Sequence, residues 1–331
     1  MPIRTTLLCV SLAPLLAGYA AVQTFPLTDA KGLMVRDAHV EPAVFHGRKA
    51  VRLTREGSGE AAAFLPGVEF QDGTIEADLA VKVTAPAGAR HPGFLGIAFR
   101  TRDEGKQCEL FYIRPGNSHA ADQAMRNHTV QYVASPGYGW ERLRREWPWV
   151  YEAHADLELE TWAHVKIEVQ GRRASLFINS DPNPALVVDG LKGSELKGGV
   201  ALWGYGDEES YFANVRVTHA APAPIANSGE PSGSWQLNYS SDSGAHSCLL
   251  TLKRDGSKLT GSLAGLYKAE VPVTGEWRDG YIELWFHGAW PKSDSADASA
   301  TLAGWVDGDA AKGRLIVTSK ADGVWTATRK P

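Results

Sequence analysis

A two-residue rhythm constrains this chain more than any other feature. From Thr74 to Val83, Ile75, Ala77, Leu79, Val81 and Val83 alternate with Thr74, Glu76, Asp78 and Lys82. Successive side chains of a strand point to opposite faces, so the spacing predicts a strand with one buried face, entered through an Asp72-Gly73 turn. His164 to Gln170 repeats the pattern, with Val165, Ile167 and Val169 inward. Gly171-Arg172 then turns it into Ala174 to Asn179, a hairpin. Phe94 to Arg100, Glu109 to Arg114, Leu186 to Val188, Val200 to Trp203 and Tyr211 to Val217 add strands. No stretch keeps a helical period. Many short strands separated by turns predict an all-β sandwich over 21–218.

The rhythm stops at 219–233, where Ala, Pro, Gly and Ser predict an extended linker. It resumes at 234–331. Short alternating runs are separated there by Asp255-Gly256, Asp279-Gly280 and Asp307-Gly308, dipeptides that favour tight antiparallel hairpins. About eight such strands paired up and down would close a small barrel and leave no free edge. The Gly-Ser-Trp opening at 233–235 and the Gly-Val-Trp-Thr-Ala ending at 323–327 predict that the ends meet over a buried Trp. On these motifs the unit resembles the small lipocalin-like (calycin-type) barrels of secreted bacterial proteins.

Residues 1–20 combine Arg4, an apolar run from Leu7 to Leu16, and small residues at Gly18 and Ala20. That pattern is a secretory signal cut before Ala21, and its apolar run is too short to span a bilayer. The expectation is a secreted or periplasmic protein without a membrane span. The 331 residues carry 44% hydrophobic and 22% charged side chains, which excludes wholesale disorder. A formal net charge of −4 without a basic block argues against a nucleic-acid partner. Three Cys make no disulfide scaffold; Cys9 leaves with the signal, and Cys108 and Cys248 are expected as free, buried thiols. Oligomeric state has no sequence signature here.

Two stretches carry a sharper likeness. One is Glu109-Leu-Phe-Tyr-Ile-Arg-Pro115 with Asn117, Ala121-Asp-Gln123, Arg126-Asn-His-Thr129 and Gln131-Tyr132. The other runs from Glu160-Thr-Trp162 through Gly198 to Trp203 and Tyr211 to Val215. Together they resemble a concanavalin A-like or laminin-G-like jelly roll, related to 3-keto-disaccharide hydrolase-like and family-16 glycoside-hydrolase-like secreted bacterial proteins. The resemblance implies a jelly-roll fold over roughly 24–218 and sugar as the ligand class. It departs at one point. Family-16 enzymes place paired carboxylates on one strand, and the nearest match, Asp156-Leu-Glu158-Leu-Glu160, precedes the Trp162 strand and reads as a solvated acidic edge.

Segment 109–147 concentrates polar and aromatic groups. Glu109, Tyr112, Arg114, Asn117, Asp122, Gln123, Arg126, Asn127, His128, Gln131, Tyr132 and Trp140 are the candidate ligand-binding residues. Planar amide, carboxylate and guanidinium groups match vicinal hydroxyls, and aromatic rings cover the C–H face of a pyranose. The competing reading makes the same residues a scaffold for a long loop. His128 has the chemistry of a general base but no partner visible in sequence. Arg142, Arg144 and Arg145 form either a rim for an acidic sugar or a self-paired loop with Glu141 and Glu146. Asp207-Glu208-Glu209 offers oxygens to a structural calcium ion, without a loop of calcium-binding spacing around it; no other cofactor is indicated. In the barrel, Trp235, Trp277, Trp285, Trp290, Trp305 and Trp325 are expected as core and closing residues. Three functions fit: a carbohydrate-binding protein, a glycoside hydrolase or lyase, and an adhesion or interaction module without catalysis.

Overall fold

The structure, a computed structural model, describes residues 21–57, 59–83, 91–223, 229–241, 244–288, 298–317 and 322–331. The signal segment and Trp290 lie outside the described residues.

The chain is all-β. One antiparallel sheet runs in the order Leu186–Asp189, Arg173–Ile178, Ala163–Gln170, Gly73–Lys82, Glu209–His219, Arg48–Arg55 and Ala38–Phe45, with Val22–Phe25 also on Glu209–His219. The second runs Glu152–Ala153, Val130–Ser135, Gln107–Ile113, Phe94–Arg102, Gly199–Tyr205, Ala61–Phe64 and Met34–Arg36. They face each other as a jelly-roll β-sandwich. Ile75, Ala77 and Leu79 of the first meet Leu95, Ile97 and Phe99 of the second in one core, as the alternation predicts.

Asp72-Gly73 differs from its expectation as a simple turn. Asp72 is buried and tied to three segments: it accepts from Arg100 (3.0 Å), Gly171 N (3.0 Å) and Ala223 N (2.6 Å). Gly73 has φ 133°, and a Cβ there would lie 2.0 Å from the Thr218 carbonyl oxygen. The dipeptide is a junction between strands that are distant in sequence.

Eight further strands, Gly233–Ser241, Gly244–Asp255, Lys258–Ala264, Val271–Arg278, Tyr281–Gly288, Ala298–Asp307, Ala310–Val317 and Asp322–Arg329, form a closed antiparallel barrel. The last pairs with the first, Trp325 opposite Tyr239. Trp235, Trp277 and Trp325 fill the interior, whereas Trp285 and Trp305 are half-buried and belong to the outer face. Cys108 and Cys248 are free, and burial pushes the Cys248 thiol up to about 11.

The barrel packs on the sandwich through the outer face of its Val271–Gly288 hairpin. Ile282, Leu284 and Phe286 point into the barrel, so alternation turns Tyr281, Glu283 and Trp285 outward. Glu283 is nevertheless buried: it accepts from Tyr151 OH (2.8 Å) and pairs with Lys192 of the sandwich. Burial pulls the Lys192 ammonium down to about 8 despite that carboxylate, and Arg278 acts in the same direction. Trp285 meets Trp147 edge to face at 5.1 Å, and Arg172 pairs with Asp279 at 2.6 Å.

Candidate functional site

A cavity of about 550 Å³ opens on the outer face of the seven-stranded sheet. Its floor follows from strands that are apolar on both faces. In Gly199–Tyr205, Val200 and Leu202 enter the core, while Ala201, Trp203 and Tyr205 turn outward. In Gln107–Ile113, Phe111 and Ile113 enter the core, and Leu110 and Tyr112 turn outward. Tyr112 and Trp203 lie 5.2 Å apart, and Phe94 meets Tyr205 edge to face at 5.6 Å. Gly96 stands opposite Tyr112 in the ladder, where a Cβ would come within 2.7 Å of the Tyr112 Cβ. The missing side chain is what lets the Tyr112 ring stand there. Trp203 Nε1 donates to Glu60 at 3.1 Å.

Segments 114–129 and 136–152 wall the cavity. They hold two short helices that no periodicity revealed: α1 (Gln123–Arg126) and α2 (Trp140–Glu146). Seven residues or fewer are too few for a 3.6-residue pattern to declare itself. Arg114 donates to Gln131 Oε1 (3.0 Å) and lies 5.2 Å over the Tyr112 ring. Arg144 grips Glu152 with two bonds (3.1 and 2.8 Å) and covers the Trp140 ring at 4.9 Å. His128 Nδ1 is 2.7 Å from Glu152 Oε2, and Arg114 is 3.9 Å from the same oxygen. Glu152, 2% exposed at its side chain, is therefore surrounded by three basic groups. Burial holds the His128 imidazole below its ordinary pKa; Glu152 opposes this, and Arg144 and Arg114 reinforce it. Burial pushes the Tyr112 phenol up to about 12, so it stands as a neutral hydrogen-bonding group at neutral pH.

Of the residues singled out by sequence, Tyr112, Arg114, Asn117, His128, Trp140 and, from the arginine run, Arg144 line this cavity. Asn117 also donates to the His128 carbonyl at 3.1 Å, fixing that wall. Gln131 lies behind Arg114 and bonds the carbonyls of Tyr132 and Tyr151. Glu109 and Tyr132 are placed elsewhere, inside the sandwich core. Tyr132 OH donates to Glu109, whose other oxygen accepts from Gly193 N at 3.1 Å, and burial raises the Glu109 pKa. Asp122 caps α1 by accepting from Ala124 N (2.9 Å). Gln123, Arg126 and Asn127 bond one another and the loop carbonyls of Ala120 and Ala121. These four build the wall without lining the cavity.

Glu60, Phe94, Trp203, Tyr205 and Glu152 are not among the residues that the sequence singles out. One signal was present: Ala201, Trp203 and Tyr205 occupy the outward positions of a strand whose inward positions are also apolar. A further ring stands beside the wall. Trp149 is 56% exposed, adopts φ 66°, and stacks parallel to His128 at 5.9 Å. A bulky residue held in the left-handed region next to a cavity marks strain of the kind found at functional sites.

The other candidate motifs have structural partners. Asp156 and Glu158 are exposed and flank His119 at 3.3 and 2.9 Å. Arg142 and Arg145 pair with Glu146. In the acidic run, Asp207 pairs with Arg55, and Glu209 with Arg52 and Lys82 at 3.2 Å each. Among the described residues no His, Cys, Asp and Glu side chains gather as a metal-binding group, and no helix is long and apolar enough to cross a membrane. A second hollow of about 410 Å³ lies on the barrel at Tyr239, His246, Val324 and Trp325, with no Asp, Glu, Lys or Arg in its lining.

No family model matches the chain, and no curated protein matches it. Solved structures do resemble it. The carbohydrate-binding module CBM66 from Bacillus subtilis is 15% identical, covers 62% of this chain and 99% of its own, with a TM-score of 0.37. A Bacillus subtilis protein of unknown function with a galectin-like fold is 13% identical, covering 62% and 98%, with a TM-score of 0.42. The exoplasmic/lumenal domain of VIP36 in its calcium-bound form is 11% identical, covering 56% and 84%, with a TM-score of 0.39.

Proposed function

We propose that the cavity receives a carbohydrate and that the protein is an exported glycan-binding protein. One observation carries this reading: Tyr112, Trp203, Tyr205 and Phe94 form an aromatic floor, while Arg114, Glu60 and Asn117 supply polar atoms at its edge. Rings suit the C–H face of a sugar, and fixed donors and acceptors suit its hydroxyls. The charges near the cavity are matched, Arg144 and Arg114 against Glu152 and Glu60, and that balance favours a neutral polyol over a strongly anionic ligand. Export rests on residues 1–20. The division into a sandwich over 21–218, a linker and a lipocalin-like barrel over 234–331 belongs to the same proposal.

The test is a polysaccharide and glycan array probed with protein beginning at Ala21. Trp140→Ala and Tyr205→Ala remove exposed rings of the lining and should weaken binding about tenfold each, the scale of one lost aromatic contact. Retention of no glycan would overturn the reading and leave an interaction module.

A specific observation also favours an enzyme. His128 lines the cavity with Nδ1 beside a buried carboxylate, and it is held neutral near pH 7. Such an imidazole can accept a proton from a water or sugar group bound against it. Release of reducing or unsaturated ends by the wild type, abolished in His128→Gln, would put hydrolysis or elimination ahead of simple binding.

A further inference from the structure

The segment 138–152 has two faces. Toward the cavity it presents Trp140, Arg144 and, through Arg144 and His128, the buried Glu152. Toward the barrel it presents Tyr138, Arg142, Trp147 and Tyr151. Tyr138 OH reaches Glu276 at 3.2 Å, Arg142 lies 3.7 Å from the same carboxylate, Trp147 meets Trp285, and Tyr151 OH donates to Glu283. Neighbouring residues are divided between the two tasks: Tyr151 is held by the barrel and Glu152 holds the cavity wall. The helix α2 that precedes both is short, and its first residue is preceded by Gly139 without a side-chain cap. A single uncapped turn or two has little stability of its own and takes its position from what packs on it.

We infer that the barrel is the positioning element of the cavity: Glu276, Glu283 and Trp285, on its outer face, fix where Trp140, Arg144 and Glu152 stand. The inference rests on the cavity being the binding site, and it assigns the barrel a task in that binding without contact to the ligand. Barrel residues that point outward then control affinity, whereas those pointing inward control only the barrel's own folding.

Hydrogen exchange on the full chain tests this. The probes are the amides of Leu143 and Trp147, which donate to the carbonyls of Gly139 and Leu143. In Trp285→Ala these amides should exchange about tenfold faster, with strands Ala163–Gln170 and Lys258–Ala264 unchanged, because only a local opening is eased. Trp285→Phe should restore protection, and Glu276→Gln, which leaves the ring contact intact, should shift it in the same direction by less. The array glycan retained most strongly by wild type should bind more weakly to Trp285→Ala and recover in Trp285→Phe. Unchanged exchange at Leu143 and Trp147, or acceleration spread equally over the two control strands, would overturn the inference. If wild type retains no array glycan, the binding proposal fails, and the exchange data still decide whether the barrel positions the wall.

Discussion

Glu152 concentrates the site's electrostatics in one side chain. It is buried, it sits in the two-residue strand Glu152–Ala153 opposite Gln131, and it faces Arg144, His128 and Arg114 at 2.8, 2.7 and 3.9 Å. Removing it takes away the carboxylate that Arg144 grips with two bonds, at a position where the Glu152 side chain is 2% exposed. Glu152→Ala should therefore cost about 3 kcal/mol in urea unfolding, the low end for breaking a buried ionic group because Arg144 is partly solvated. His128 gives the companion prediction. Its folded pKa lies below the unfolded value, so the unfolded chain binds the proton first as pH falls. Its contribution to stability is complete above the unfolded pKa and is lost as pH falls through the folded one. Unfolding of His128→Gln, followed from pH 7 downward, should show a shallower loss of stability than wild type; an identical slope would exclude His128 as a source.

At the scale of elements, alternation and turns were legible and irregular wall segments were not. Period two located Thr74–Val83 and His164–Gln170 because one face of each is dry. All eight barrel strands were marked by apolar runs between turns. The Asp-Gly dipeptides did mark hairpins, yet only Asp279 and Gly280 occupy both loop positions, at φ 45° and 93°. In the other two, Asp ends the strand and the loop is Gly256-Ser257 or Gly308-Asp309, Gly taking the positive φ. Gly280→Ala should accordingly cost about 1–2 kcal/mol, the penalty of a side chain in the left-handed region, read in thermal unfolding. The cavity was half legible. Tyr112 and Arg114 sit on or beside a regular strand, where alternation says which way they point. Glu109 was misplaced because its burial depends on Tyr132, Gly193 and the fold of a distant loop, which local sequence does not encode. Asp72 was misread for the same reason: its partners come from segments 28, 99 and 151 residues away.

At the scale of the whole molecule, the question is why two β units that could each close their own core should touch at all. Outward positions of the Val271–Gly288 hairpin answer it. Tyr281 and Glu283 are buried on a face that would meet water in an isolated barrel, and Lys192 is fully buried on the other side. A contact holding charges out of water tolerates little displacement, since a gap would strand them without partners. Gly190 sets how close the two bodies come: at φ 88°, a Cβ there would fall 2.1 Å from the Tyr281 ring. Gly190→Ala should push Tyr281 back and weaken the docking by about 1–3 kcal/mol, as overpacking does. Both cores would remain intact, because neither Gly190 nor the outer face of Tyr281 contributes to the interior clusters. Wild type should then unfold in one calorimetric transition, with sandwich and barrel coupled through the shared contact. Gly190→Ala should show two. A single transition at the wild-type temperature in that variant would mean that the hairpin face is not what joins the two halves, and the coupling would have to be sought in 219–233 instead.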